Sequence, residues 1–140
     1  MENTAEGYKT IRVLVADDHS LIRRSIRALL AKEKSMQVIA EAADGEETLA
    51  LVQELHPDIL LLDIALPCLN GFEVIARIDD DLTQILIVSM HERPSLMRQA
   101  MQRGARGYVA KSKLSENLVK AIQAISRGET YFTSIGIQPV

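Results

Sequence analysis

The chain has a single cysteine, Cys68, among its 140 residues. No internal disulfide can form, and a reducing compartment is the natural setting. No apolar run reaches the roughly 18 residues needed to cross a bilayer. The polar opening stretch, residues 1–10, has no secretory-leader core, so a cytoplasmic location without membrane contact is expected. A strong excess of charge of one sign is missing too. Sixteen basic against 19 acidic side chains leave a formal net charge of −3, which gives this segment no electrostatic reason to bind nucleic acid directly. There is no internal repeat and no low-complexity tract. What is present is an ordinary globular composition, 47% hydrophobic and 25% charged, in a length that suits one domain.

The strongest local signal is Ile59-Leu60-Leu61-Leu62-Asp63. Unbroken aliphatic residues want burial on both faces, which suits a central strand of a parallel sheet. The run ends in a carboxylate, and Pro67, Asn70 and Gly71 then turn the chain. Around it, strands are predicted at residues 11–16, 36–42, 85–88 and 107–110. Helices are predicted from His19 or Ser20, with Leu21, Ile22, Ile26, Leu29 and Leu30 on one face and Arg23, Arg24 and Arg27 largely opposite. Further helices follow Asp44-Gly45 to Leu55, then span 72–78, 94–103 and 115–127. Pro94 stands near a helix start, and Gly104 and Gly128 follow helix ends. The acidic triplet Asp79-Asp80-Asp81 reads as a solvated loop, and Met97 and Met101 as packing residues.

No hairpin turn joins any strand pair. Alternating strands and helices without hairpins imply an α/β fold with helices on both faces of a parallel sheet. The expected form is the flavodoxin-like, doubly wound arrangement of five strands in the order 2-1-3-4-5 with five helices. Ligands of such sheets bind beyond the carboxyl ends of the strands. Those ends carry Asp17 and Asp18 after strand 1, Asp63 after strand 3, Ser89 after strand 4 and Lys111 after strand 5. Clustered carboxylates repel unless a cation intervenes, and oxygen donors suit Mg²⁺. A carboxylate can serve as nucleophile, a metal ion and a lysine can hold charge on a transferred group, and Ser89 can donate one hydrogen bond. The set is what phosphoryl transfer to Asp63 needs.

At this point the chain resembles a response-regulator receiver domain of two-component signalling. The motifs are Asp17-Asp18, Asp63 in LLLDIALPCLNG, Ser89 in ILIVSMH and Lys111 in GARGYVAK. DDHSLIR, RGARGYVAKS and AIQAISRGETYF are most similar to the NarL/FixJ subfamily, whose receivers precede a LuxR-type helix-turn-helix output domain. The resemblance implies that Asp63 is the phosphoacceptor, that Asp17, Asp18, Asp63 and the backbone carbonyl of Ala65 hold Mg²⁺, and that Lys111 binds a phosphoryl oxygen. It implies switch roles for Ser89 and Tyr108, and places Ala65 and His91 beside the path of attacking water. The expected partners are a sensor histidine kinase, a second copy of the chain, and DNA only through an output domain. Residues 1–10 are expected to be a flexible start, 11–128 the receiver, and 129–140 the beginning of a linker to an output domain absent from this chain.

Each residue also has a plainer role. Asp17 could be a helix N-cap, Ser89 a strand-end serine, Lys111 a surface lysine and Tyr108 a half-buried packing residue on an edge strand. His19 and His91 read as structural or solvent-facing, and Cys68 as an unpaired loop thiol. Rival functions are a stand-alone receiver signalling by protein contact, a small phosphohydrolase with Asp63 as nucleophile, and a flavin-binding module. No lid insertion supports the enzyme, so the expectation is a switch rather than an enzyme. Asp17-Asp18 stands where a flavin module would cradle phosphate.

Overall fold

Strands form where the aliphatic runs lie. In the computed structural model, which describes residues 10–132, β1 (Ile11–Ala16), β2 (Met36–Ala42), β3 (Ile59–Asp63), β4 (Gln84–Ser89) and β5 (Gly107–Ala110) alternate with five helices. These are α1 (Ser20–Ala31), α2 (Gly45–Leu55), α3 (Gly71–Arg77), α4 (Pro94–Gln102) and α5 (Leu114–Ser126). A 3-10 turn, Lys111–Lys113, leads into α5. All ladders are parallel, in the order β2-β1-β3-β4-β5-β6. The first five strands follow the order read from the sequence.

The sixth strand, β6 (Tyr131–Phe132), is an addition. It falls where a linker was expected to begin. It pairs Tyr131 with Gly107 and Phe132 with Tyr108, so β5 is not the sheet edge. The Tyr131 hydroxyl donates to Asn117 Oδ1 of α5 at 2.8 Å. The rest of that linker, residues 133–140, and the expected flexible start short of Thr10 lie outside the described residues.

Alternation along the strands divides the core in two. Leu14, Leu60, Leu62, Ile85, Ile87 and Tyr108 meet α2, α3 and α4 through Val52, Val74, Met97 and Ala100. Val13, Val15, Ile59, Leu61, Leu86, Val88 and Val109 meet α1 and α5 through Ile26, Leu30, Leu118, Ala121, Ile122 and Ile125. All five residues of β3 are buried, and each aliphatic side chain there contributes about 2 kcal/mol of transfer free energy. Leu21 departs from the predicted apolar face of α1: it is 67% exposed, while Ile26 and Leu30 carry the contact. The acidic triplet is a loop, as expected, with Asp80 accepting from the Leu82 N–H and contacting His56 Nδ1 at 2.8 Å.

Two glycines set the height of the loop after β3. A Cβ on Gly71 would lie 2.7 Å from Ile64 Cα and 2.8 Å from the Asp63 carbonyl oxygen. The Gly71 N–H donates to the Ile64 carbonyl at 2.7 Å. Gly45, at the start of α2, presses against the Leu69 backbone and Cβ in the same way. The loop is thereby held between the end of β3, where Asp63 emerges, and the start of α2.

Candidate functional site

Six polar or charged side chains are buried among the described residues. Thr48 and Thr83 donate to the backbone carbonyls of Asp44 and Pro57, each at 2.7 Å, the usual fate of a buried hydroxyl. The other four, Asp17, Asp63, Ser89 and Lys111, all stand at the carboxyl ends of the strands. Burial of charge there is costly and needs a reason beyond packing.

Lys111 Nζ lies 2.7 Å from Asp17 Oδ2 and 3.2 Å from Asp63 Oδ2, with all three side chains almost wholly removed from water. Asp63 accepts hydrogen bonds from Lys111 and, at Oδ1, from the Ala65 N–H at 3.0 Å. Burial raises the Asp63 carboxyl above the ordinary range. The Ala65 N–H and the Lys111 ammonium act the other way, and the Asp17 charge adds to the rise. Asp17 Oδ2 is buried and accepts no hydrogen bond, Lys111 opposing its charge without aligned donor geometry. One donor atom from each of Asp17, Asp18, His19 and Asp63 lies within 4.8 Å of the others. Three carboxylates drawn this close, with one ammonium between two of them, carry an excess of negative charge that fits a small oxygen-seeking cation.

The second part of the site runs along β4 and β5. The Tyr108 hydroxyl donates to the His91 carbonyl at 2.8 Å. The His91 N–H donates to Ser89 Oγ at 3.1 Å. Tyr108 is fully buried, which corrects its reading as half-buried on an edge strand. β6 flanks β5, and Phe132 packs against the cluster that contains the ring. Burial pushes its phenol up, against a hydrogen bond with Ser89. The His91 side chain is exposed, as expected, but its backbone links Ser89 to Tyr108.

Two participants escaped the sequence reading. The His19 ring is 58% exposed, as a solvent-facing histidine should be. Its Nδ1 nevertheless turns into the cluster, 3.0 Å from Asp17 Oδ1, 3.3 Å from Asp18 Oδ1 and 3.4 Å from Lys111 Nζ. Arg23 was placed on the outer face of α1, yet it donates to the Asp17 carbonyl at 2.6 Å and to Glu41 Oε1 at 2.9 Å. Arg27 also pairs with Glu41. Burial acts to raise the Glu41 carboxyl, but the two arginines hold it below the ordinary range. No local signal marks Arg23, because its carboxylate partner, Glu41, arrives from β2.

The sequence profile of the response regulator receiver domain matches residues 13–123. The chain belongs to the response-regulator receiver family. Its relatives include the transcriptional regulatory protein DegU of Brevibacillus brevis, 33% identical over 86% of this chain and 52% of the relative. The response regulator GacA of Pseudomonas aeruginosa is 36% identical over 88% of this chain and 58% of the relative. The chain thus spans little more than half the length of these curated relatives. Among solved structures, a LuxR-family two-component response regulator from Aurantimonas is similar with a TM-score of 0.83 and 38% identity, covering 88% of this chain and 89% of that one. The non-phosphorylated receiver domain of RcsB from Escherichia coli has the same fold at a TM-score of 0.83, with 22% identity over 90% of this chain and all of that one. No helix among the described residues is long and apolar enough to cross a membrane.

Proposed function

We propose that this receiver takes a phosphoryl group from the phosphohistidine of a sensor kinase onto Asp63. The observation that carries the reading is the Asp17–Lys111–Asp63 contact at the end of the central strand, with all three side chains buried. The Asp63 carboxylate attacks phosphorus, the phosphorus–nitrogen bond to the donor imidazole breaks, and that nitrogen keeps the electron pair. Burial keeps the carboxylate poorly solvated and therefore basic enough to attack. The Ala65 N–H holds Oδ1 and fixes the direction of attack. Lys111, already 3.2 Å from Oδ2, takes up charge on the incoming group. Asp17, Asp18, Asp63 and the Ala65 carbonyl would hold Mg²⁺, which when bound neutralises phosphoryl oxygens.

Ser89 and Tyr108 form the switch. A new dianion at Asp63 draws the Ser89 hydroxyl, and displacement of Ser89 Oγ disturbs the His91 N–H and, through the His91 carbonyl, Tyr108. The bias passes to the face made by α4, β5 and α5. The chain's span of its longer relatives supports an output domain beyond it. In the full protein the switch would control dimerisation and DNA binding through a LuxR-type domain, in the cytoplasm.

Incubation with a small phosphodonor and Mg²⁺, followed by intact-mass measurement, tests this. Wild type gains one phosphoryl group and Asp63→Ala gains none. A gain in both proteins, or in neither, refutes the assignment. Continuous turnover of the donor far beyond one equivalent would favour a phosphohydrolase instead.

A further inference from the structure

Asp17 stands just beyond the end of β1, yet its backbone is tied to β2 on both sides. The Asp17 N–H donates to the Ala42 carbonyl at 3.0 Å. The Asp17 carbonyl accepts from Arg23 Nη1 at 2.6 Å, and Arg23 Nε donates to Glu41 Oε1 at 2.9 Å. One planar guanidinium thus spans a carbonyl and a carboxylate, a geometry its rigid fork suits. Glu41 reaches that place through an irregularity in β2. The register of β1 and β2 steps from Val13–Val38 to Leu14–Ala40, which leaves Ile39 without a partner. Before the step, Met36 and Val38 face the layer of α1 and α5. After it, Ala40 and Ala42 face the opposite layer. Strand side chains alternate, so unbroken pairing would aim Glu41 away from α1. The extra residue inverts the alternation and turns Glu41 onto Arg23 and Arg27. Bulges that re-aim a side chain are concentrated beside active sites.

We propose that Arg23, anchored by Glu41, is a positioning residue for the phosphoacceptor site, holding the Asp17 backbone so that its carboxylate is presented at a fixed height and angle. This rests on the reading of Asp17 as a Mg²⁺ ligand. Charge alone gives no reason for an arginine here, since a guanidinium beside a cation site repels the cation. Brace and charge therefore predict effects of opposite sign. Loss of a positive charge should tighten Mg²⁺ binding, whereas loss of a brace should weaken it. Arg27 supplies the control. It carries the same charge and pairs with the same carboxylate, but the Asp17 carbonyl is held by Arg23.

Calorimetric titration of the whole chain with Mg²⁺ tests the proposal. Arg23→Ala should weaken binding about tenfold, while Arg27→Ala should leave it within about twofold of wild type or tighten it. Arg23→Met keeps the aliphatic stem and its packing but loses the donor. It should weaken binding as the alanine variant does, and it carries the test if that variant does not fold. Without Mg²⁺, the ¹³C resonance of the Asp17 carbonyl should move in Arg23→Met and stay in place in Arg27→Ala. Unchanged or tighter binding in Arg23→Met, equal weakening in Arg27→Ala, or an unmoved carbonyl resonance in Arg23→Met overturns the proposal. Asp17→Asn separates the two levels. If it weakens Mg²⁺ binding while Arg23→Met does not, only the positioning role is refuted. If it leaves binding unaffected, the reading of Asp17 as a Mg²⁺ ligand falls, and the proposal with it.

Discussion

The loops after β1 and β3 and the loop after β4 flank the same cluster but are built differently. The first two are tied down. Gly71 and Gly45 are pressed against backbone or Cβ atoms of the loop after β3. Asn70 with Glu73 forms a reciprocal capping box on α3, at the exit of the loop after β3. Arg23 pins the Asp17 carbonyl. The loop after β4 has few such devices. Arg93 precedes α4 without a side-chain cap, and Met90 stands 69% exposed. Its ties include the bond from Tyr108 to the His91 carbonyl and an ion pair between Glu92 and Lys113 at 3.3 Å. Residues that must hold charges at set distances sit on the braced side. Ser89, buried itself, opens onto the less braced loop, so displacement of its hydroxyl is passed to a segment with fewer ties.

The sharpest way to break this comparison is at its centre. Lys111→Ala leaves Asp17 and Asp63 buried with no counter-charge, and should cost about 3 kcal/mol of stability. Denaturant titration would register it, and part of the loss should return with Mg²⁺. Next come the caps. Asn70→Ala should cost about 1 kcal/mol, whereas Arg93→Ala should lie within about 0.5 kcal/mol of wild type. Equal losses in the two variants would erase the contrast between the loops.

Tyr108→Phe removes the donor to the His91 carbonyl and should also cost about 1 kcal/mol. Phosphoryl uptake by Asp63 should persist, while amide-exchange protection around His91 falls relative to the loop after β3. Unchanged protection would show that the tyrosine does not hold this loop. The smallest effect on stability belongs to His91→Ala. Only the exposed side chain is lost, so the melting temperature should stay put while the autodephosphorylation rate changes. An unaltered rate would remove His91 from the path of attacking water.

Much of this was readable in the chain itself. Both faces of a central parallel strand are buried, so LLLD needed no partner to announce β3 and to place Asp63 at its end. The doublet Asp17-Asp18, Ser89 and Lys111 stand at strand ends by local pattern alone. The absence of hairpins implies a parallel sheet, and the order of its five strands is the common solution at this length. Local pattern carries such information because strand period, caps and turns are properties of neighbouring residues. The tertiary structure decided what depends on distant neighbours. β6 is two residues long, too short for any periodicity, and exists because the edge of β5 offers it partners. Tyr108 is buried among Ile87 of β4, Met97 and Ala100 of α4, with Phe132 of β6 packed against the same cluster. Arg23 matters because Glu41 is brought from β2 to the Asp17 carbonyl just beyond β1. His19 looked like a surface histidine until Lys111, 92 residues away, closed the cluster around its Nδ1. A charge or hydrogen bond acts over a few ångströms whatever the sequence separation, so its partner is known only once the chain has folded.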